Sequence, residues 1–156
     1  MNLLLITLDT TRADHLGCYG HAEARTTAID ALAADGVTFD NAQVTVPMTL
    51  PSHASMLTGL YPPENGLHNN GDGSLADVPT LAELLGRDGY ETAAIVGAVV
   101  LHANRGLDRG FDVYDDDMAG GERHGDETHL MRNGRMVVDA AIRWLTGRKS
   151  DAPFFC

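Results

Sequence analysis

Cysteine and basic residues are both scarce in this chain, and each shortage limits what the protein can be. The 156 residues contain two cysteines, Cys18 and Cys156. Two cysteines so far apart give neither a disulfide framework nor the spacing of a zinc site. We therefore expect two free thiols in a reducing compartment. Lysine and arginine number 11 against 22 acidic residues, a net charge of −11. This balance disfavours a general nucleic-acid-binding protein, because phosphate contacts need clustered cations.

Long apolar runs, repeats and low-complexity tracts are also absent from the sequence. No stretch reaches the roughly 18 apolar residues of a membrane-spanning helix. The first two residues lead directly into a strand pattern, which leaves no room for the basic start of a signal peptide. We therefore expect a cytoplasmic protein without a membrane segment, unless an upstream segment is missing. The length and the 44% hydrophobic content suit one soluble domain with a real core.

Patterns of buried strands and amphipathic helices alternate along the chain. Continuous apolar runs at residues 3–8 and 89–97 are typical of strands that are buried on both faces. The alternation predicts an α/β fold with a central, mostly parallel sheet flanked by helices. Leu84 and Ile142 are expected on the inward faces of their helices. The predicted helices cover residues 26–35, 52–58, 79–87 and 131–145.

A further apolar run begins at residue 152 and would start another buried strand, but the sequence stops at Cys156. A domain rarely ends two or three residues into a central strand. We therefore expect residues 1–156 to be the amino-terminal part of a longer domain, whose carboxyl half is absent and whose fold is incomplete here.

Residues 46–59 have the pattern of a reactive side chain at the start of a helix. Pro51 suits the first helical turn, because it has a fixed φ and no N–H, and Gly59 ends the helix. Thr49 then lies at or just before the helix N-terminus, where free N–H groups and the helix dipole favour an anion. Its hydroxyl could attack a tetrahedral oxyanion ester there. An N-cap is the commoner role of threonine in this place, and this stretch alone favours it.

Polar residues follow the first predicted strand, at the edge where α/β sheets place their ligands. Asp9 is a candidate metal ligand and Arg12 a candidate anion contact, although an aspartate after a strand is as often a helix cap. A second polar segment is the long loop at residues 60–78, which contains His68 and Asn70. A loop of this length in a compact domain is functional or disordered. Turn chemistry is the commoner use of its polar residues.

Together these segments resemble the sulfatase family of the alkaline-phosphatase-like superfamily, over residues 2–155. Residues 5–20 resemble its opening strand and metal loop, and residues 49–59 its nucleophile signature, Cys/Ser-x-Pro-Ser-Arg. The resemblance implies a divalent metal, usually calcium in sulfatases, with zinc, manganese and magnesium as alternatives. The site residues that it implies are the metal ligands Asp9, Thr10 and Thr49, the catalytic residues Thr49, Arg12 and His53, and the substrate contacts Ser52, His68 and Asn70.

Several positions depart from the family pattern. Thr49 stands where sulfatases carry a Cys or Ser that is oxidised to formylglycine. Its β-carbon bears a methyl group, so no aldehyde can form and no formylglycine is expected. The paired aspartates of the family are here Asp9 and Thr10, and the signature arginine is His53. Residues 97–100 lack the lysine and histidine of the family's Gly-Lys-Trp-His motif. A threonine nucleophile is instead typical of phosphodiesterase and phosphotransferase branches of the superfamily.

The sequence therefore predicts a metal-dependent, sulfatase-like hydrolase that cleaves small or polymeric sulfate esters through Thr49. One alternative is a phosphodiester or phosphonate ester hydrolase, or a phosphotransferase, with the same nucleophile. Another is a non-catalytic binding domain on the same fold. One carboxylate and one hydroxyl cannot hold a hard cation that takes about six oxygen ligands. We therefore expect these 156 residues alone to bind metal weakly and to turn over no substrate.

Overall fold

A computed structural model of the chain describes residues 1–123 and 130–156. The chain divides into two compact units, one of residues 1–5 and 45–156 and the other of residues 6–44. Within the described residues, no helix has both the length and the apolar character needed to cross a membrane. Cys18 and Cys156 are both free thiols, as predicted.

The larger unit contains a three-stranded parallel sheet. Its middle strand is β1 (Glu91–Ile95), which pairs with β2 (Val113–Asp115) on one side and with β5 (Phe154–Phe155) on the other. Thr92 and Ala93 are fully buried, because packing covers both faces of β1. The predicted α/β fold and its central parallel strand are therefore confirmed. A separate antiparallel pair is formed by β3 (Glu122–Arg123) and β4 (Leu130–Met131).

The prediction of a buried first strand at residues 3–8 was wrong. Leu3 forms a single parallel bridge with Phe155, and the N–H of Leu5 donates to the carbonyl of Cys156 at 2.7 Å. Within the described residues, the backbone hydrogen bonds to residues 154–156 cover Leu3 and Leu5, and a run forms a strand only where such a ladder continues. Leu4, Leu5, Ile6 and Leu8 are between 45% and 66% exposed.

The predicted helices are all present, with shifted boundaries. Helix α4 (Leu81–Arg87) begins two residues after its predicted start, because Thr80 is its N-cap. The N–H of Glu83 donates to the Thr80 hydroxyl, and the N–H of Thr80 donates to the Glu83 carboxylate. A short helix also lies inside the predicted 60–78 loop, where prolines occupy its first turn. The helices are α1 (Thr27–Asp35), α2 (Thr49–Thr58), α3 (Pro62–Asn65), α4 (Leu81–Arg87) and α5 (Gly134–Gly147), with 3₁₀ turns at Ala13–His15, Gly17–Tyr19, Val99–Leu101 and Ala103–Arg105.

Two helix faces differ from the prediction. Leu84 is 48% exposed and Ile142 is 51% exposed, whereas both were expected to face inward. The buried residues of these helices are Ala82 and Ala140. Residues two positions apart on a helix are separated by about 200°. The small alanines allow close packing, and their burial places the larger side chains two residues later on the solvent side.

The core of the larger unit connects α2 with the loop that follows α3. Leu50 of α2 and Leu67 of that loop are both fully buried in this core, so their packing holds the helix and the loop together. The buried residues of this cluster are Leu50, Ala54, Leu67, Leu75, Val100, Leu101 and Leu107. This arrangement fixes the amino-terminal turn of α2 next to the loop at residues 66–75.

An almost fully buried arginine joins the end of β2 to the segment before α5. The Arg132 side chain is 5% exposed and its guanidinium donates to the Asp115 carboxylate at 2.7 Å. Asp115 is itself 30% exposed. Among the described residues, the Nε of Arg132 has no hydrogen-bond partner. The charge of Arg132 therefore depends on Asp115 for its compensation.

Replacement of Asp115 by alanine is expected to lower the free energy of unfolding by about 2 kcal/mol, because it leaves a buried guanidinium without its carboxylate. Urea unfolding followed by circular dichroism measures the change. The matched control is Asp117→Ala, since Asp117 is exposed two residues along the same acidic run, and it should change stability by no more than about 0.5 kcal/mol. Equal losses in the two variants would contradict this role of Asp115.

Candidate active site

Thr49 is the first residue of α2. The residue before it, Met48, is the N-cap, with an extended backbone and no side-chain capping bond. The first helical hydrogen bond runs from the N–H of Ser52 to the carbonyl of Met48 at 3.1 Å. Thr49 was predicted at or just before the helix N-terminus, and this position is confirmed. The alternative of Thr49 as the N-cap itself is wrong. Thr49 is instead the first helical residue, and its half-buried side chain lies near the positive end of the helix dipole.

The amide of Leu50 is capped by a distant side chain. Its N–H donates to Oδ1 of Asn70 at 2.9 Å. Pro51 follows and has no backbone N–H. The first turn of α2 therefore has one fewer N–H group that needs a hydrogen-bond acceptor. Asn70 is half-buried. The structure thus brings Asn70, predicted as a substrate contact, to the start of the helix that carries Thr49.

The loop that contains Asn70 is held by a carboxylate and by a guanidinium. Asp72 accepts hydrogen bonds from the backbone N–H groups of His68 and Asn69. These bonds stabilise the charged form and lower the pKa of the Asp72 carboxyl below its usual range. Arg105 donates to the carbonyls of Asp72 and Gly73 from the other side of the loop. The exposed His68 side chain, predicted to contact substrate, lies on this same loop.

Asn65 fixes the beginning of the loop to α2. Its side chain is fully buried, and its Nδ2 donates to the carbonyl of Leu60 at 3.1 Å and to the hydroxyl of Ser55 at 3.3 Å. Its Oδ1 accepts from the N–H of Leu67 at 3.0 Å. Asn65 therefore ties α2, the end of α3 and the core leucine Leu67 together.

His53 lies one turn after Thr49 and contacts its backbone. The distance from Nδ1 of His53 to the carbonyl oxygen of Thr49 is 2.7 Å, and Nδ1 donates because a carbonyl only accepts. Ser52 is half-buried on the same turn. Thr49, Ser52, His53 and Asn70 are therefore neighbours in the larger unit. The roles predicted for them are not decided by these contacts.

The other predicted site residues belong to the smaller unit. Thr10 has a φ of 59°, a left-handed conformation that is unusual for a β-branched residue, and its hydroxyl donates to Asp9 at 3.4 Å. Asp9 does not cap the following 3₁₀ turn, whose N-cap is Arg12. Arg12 forms a two-pronged ion pair with Asp14 at 2.6 and 2.9 Å, with both side chains exposed. The pair lowers the pKa of Asp14.

Comparison with known proteins identifies the family. The family model for sulfatases matches residues 1–156. The chain belongs to the sulfatase family. The resemblance in the sequence is thereby confirmed at the level of the family and of the fold.

Proteins named as sulfatases are similar to this chain over part of their length. An N-acetylglucosamine-6-O-sulfatase of Bacteroides thetaiotaomicron is 28% identical over 98% of this chain and 29% of that protein. Human arylsulfatase A is 38% identical over 58% of this chain and 19% of that protein. The chain spans less than a third of the length of these two relatives.

Solved structures agree with the fold. A protein in complex with its substrate D-glucosamine-2-N,6-O-disulfate matches 99% of this chain and 33% of its own chain, with 27% identity and a TM-score of 0.79. A phosphonate monoester hydrolase of Agrobacterium radiobacter matches with 24% identity and a TM-score of 0.70 over 99% of this chain and 39% of that one. The second likeness concerns the fold alone.

The metal predicted for this sulfatase chain needs more ligands than the described residues bring together. Across residues 1–123 and 130–156, no group of three His, Cys, Asp or Glu side chains has the arrangement of a metal site. Asp9 supplies one carboxylate and Thr10 one hydroxyl, whereas a calcium ion takes six to eight oxygen ligands. The residues present therefore do not fit a complete metal site.

Two residues that hold the loop of the candidate site were not predicted from the sequence. Asp72 had a local signal, because an Asn-x-x-Asp segment with a glycine is typical of a turn, and the Asn69 carbonyl accepts from the N–H of Asp72 at 3.2 Å. Arg105 had none, since 33 residues separate it from the Asp72 carbonyl that it binds. Only the tertiary fold reveals its contact.

Proposed function

We propose that this chain is the amino-terminal part of a sulfatase-like catalytic domain that cleaves sulfate esters with the Thr49 hydroxyl as nucleophile. The observation that carries the proposal is the place of Thr49, the first residue of a helix whose second residue, Leu50, is fully buried. A hydroxyl at this place lies in the positive field of the helix N-terminus. The same field would favour a sulfate group beside it.

The reaction is a displacement in two steps. The Thr49 oxygen gives up its proton to water and forms a bond to sulfur, while the sulfur–oxygen bond to the alcohol breaks and the alcohol takes up a proton from water. Water then attacks the sulfur of the threonine sulfate ester, which releases sulfate and restores the hydroxyl. The Nδ1–H bond from His53 to the Thr49 carbonyl would orient the residue during both steps.

Predicted roles for the other residues remain part of the proposal. Ser52 and His68 would contact the substrate. Arg12 stays a predicted anion contact. Asp9 and Thr10 would be ligands of a divalent metal, with calcium as first choice, together with ligands from outside this chain. Because the chain offers too few ligands, we expect it to bind calcium weakly and to show no turnover on its own.

One other candidate function is favoured by specific residues. Thr49 cannot be converted to formylglycine, and residues 97–100 include neither lysine nor histidine. A phosphodiester or phosphonate ester hydrolase, or a phosphotransferase, would use the same threonine on a phosphorus centre. Phosphoryl transfer also depends mainly on positioning and charge stabilisation.

A paired assay on the full-length protein tests the choice. We expect calcium-dependent release of product from an aryl sulfate, with slower release from an aryl phosphodiester. N-acetylglucosamine 6-sulfate is a third substrate, chosen because one relative of the chain is named as an N-acetylglucosamine-6-O-sulfatase. Mass spectrometry of the peptide around Thr49, after acid quenching, should detect a sulfate ester on the threonine. Faster cleavage of the phosphodiester, or an adduct elsewhere, would contradict the sulfatase proposal.

A further inference from the structure

The start of α2 has no local cap, unlike two other helices of the chain. Thr80 caps α4 and Asn133 caps α5, each accepting from an N–H of its own helix. Met48 occupies the N-cap of α2 and offers no side-chain acceptor. The amide of Leu50 is instead satisfied by Oδ1 of Asn70, from a residue 20 positions later. A helix N-terminus normally needs such an acceptor.

We propose that Asn70 is a positioning residue for Thr49: it acts as an N-cap supplied in space by the loop at residues 66–75. This inference rests on the proposed function, in which Thr49 is the nucleophile. It assigns Asn70 a different role from the substrate contact predicted from the sequence. The amide that Asn70 holds belongs to Leu50, the residue directly after the nucleophile.

The loop is rigid enough to place such a cap. Its two ends are buried in the core through Leu67 and Leu75, which are 0% and 8% exposed. Its middle is closed by Asp72, which accepts from two backbone N–H groups. Arg105 donates to the carbonyl of Asp72 and its own carbonyl accepts from the N–H of Leu75 at 2.9 Å. Asn70 therefore approaches the helix from a frame that is anchored at three points.

The consequence for Thr49 follows from helix end fraying. The first turn of a helix opens easily when its amides lack acceptors. Opening at Leu50 would displace the adjacent Thr49 hydroxyl from the helix N-terminus. A displacement of about 1 Å at a reacting group lowers a rate by up to about a hundredfold. Asn70 would thus act on the reaction through the backbone, without contact to the substrate.

Amide hydrogen exchange in the full-length protein measures the cap directly. In Asn70→Ala, the amide of Leu50 should exchange about fivefold faster, since the cap is lost. In Asn70→Asp it should exchange as in the wild type, because a carboxylate accepts from the same N–H and suits a helix N-terminus. Asn104→Ala is the matched control, an exposed asparagine outside the loop. Unchanged exchange of Leu50 in Asn70→Ala would overturn the proposal.

Kinetics of the full-length protein separate positioning from substrate binding. Asn70→Ala should lower kcat by about tenfold and change KM by less than about threefold. Asn70→Asp should restore most of kcat, and any cost of its added charge should fall on KM. An effect on KM alone would show a substrate contact and overturn the proposal, as would an unchanged kcat. If Thr49→Ala stays active while Leu50 exchange responds to Asn70→Ala, the proposed function fails, and the cap contact stands without a catalytic role.

Discussion

Replacement of Thr49 by alanine in the full-length protein is expected to lower kcat by about a thousandfold or more. The variant removes the oxygen that forms the bond to sulfur. Helix α2 still starts at residue 49, and the N–H of Leu50 still donates to Oδ1 of Asn70. Loss of a nucleophile removes a covalent route that the remaining groups cannot replace. Initial rates with an aryl sulfate and with an aryl phosphodiester, on the same preparation, measure the effect for both substrate classes.

The control for this variant is Thr49→Ser, which keeps a hydroxyl and removes one methyl group. We expect kcat within about tenfold of the wild type, since the nucleophilic oxygen is retained. The mass of the peptide must show an unmodified serine, because serine has the β-hydrogens that oxidation to formylglycine requires. Thr49→Ala with more than a tenth of the wild-type rate would contradict both the sulfatase and the phosphodiesterase proposals. It would leave a binding domain as the surviving interpretation.

The elements that could be predicted are those whose sequence features, such as an apolar run, a proline or a glycine, lie within a few residues of each other. The apolar run around β1 predicts burial on both faces, and Thr92 and Ala93 are fully buried. The sequence from Thr49 to Gly59 combines a proline that fits the first turn with a glycine that ends the helix. Helix α2 ends before Gly59 as predicted and begins at Thr49, three residues before the predicted start at residue 52. Local propensity and burial agree in both segments, so the sequence is informative there.

Elsewhere the outcome depends on neighbours that a local pattern does not contain. Residues 3–8 are as apolar as a central strand, yet only Leu3 and Leu5 meet the backbone of the last strand. On α4 the hydrophobic pattern includes both Ala82 and Leu84, and packing selects the alanine for burial. The hydrophobic pattern predicts that an amphipathic helix is present, but the residues that pack against the helix decide which of its sides is buried.

The candidate site was predictable in its residues and unpredictable in its connections. Asn70 was singled out as a polar loop residue, but its bond to the amide of Leu50 spans 20 positions. The contact of Arg105 with Asp72 spans 33. Neither spacing belongs to a helical or strand period, so only the folded core that buries Leu67 and Leu75 brings the groups together.

The largest expected change in stability comes from the residue next to Thr49. Leu50 is fully buried in the core, and Leu50→Ala should lower the free energy of unfolding by about 3 kcal/mol, through lost burial and a residual cavity. Urea unfolding of the 156-residue chain measures the loss. The control is Met56→Ala on the same helix, since Met56 is 44% exposed, and it should cost no more than about 0.5 kcal/mol.

The Leu50 variant also separates the core from the cap. Alanine keeps the backbone N–H that donates to Asn70, so the amide at position 50 should stay protected relative to a variant that also carries Asn70→Ala. The two substitutions act on neighbouring groups, and a double-mutant cycle should show a coupling of about 0.5 kcal/mol or more. Strict additivity would mean that the buried side chain does not help to hold the amide against Asn70.

Equal losses in Leu50→Ala and Met56→Ala would contradict the placement of α2 in the core.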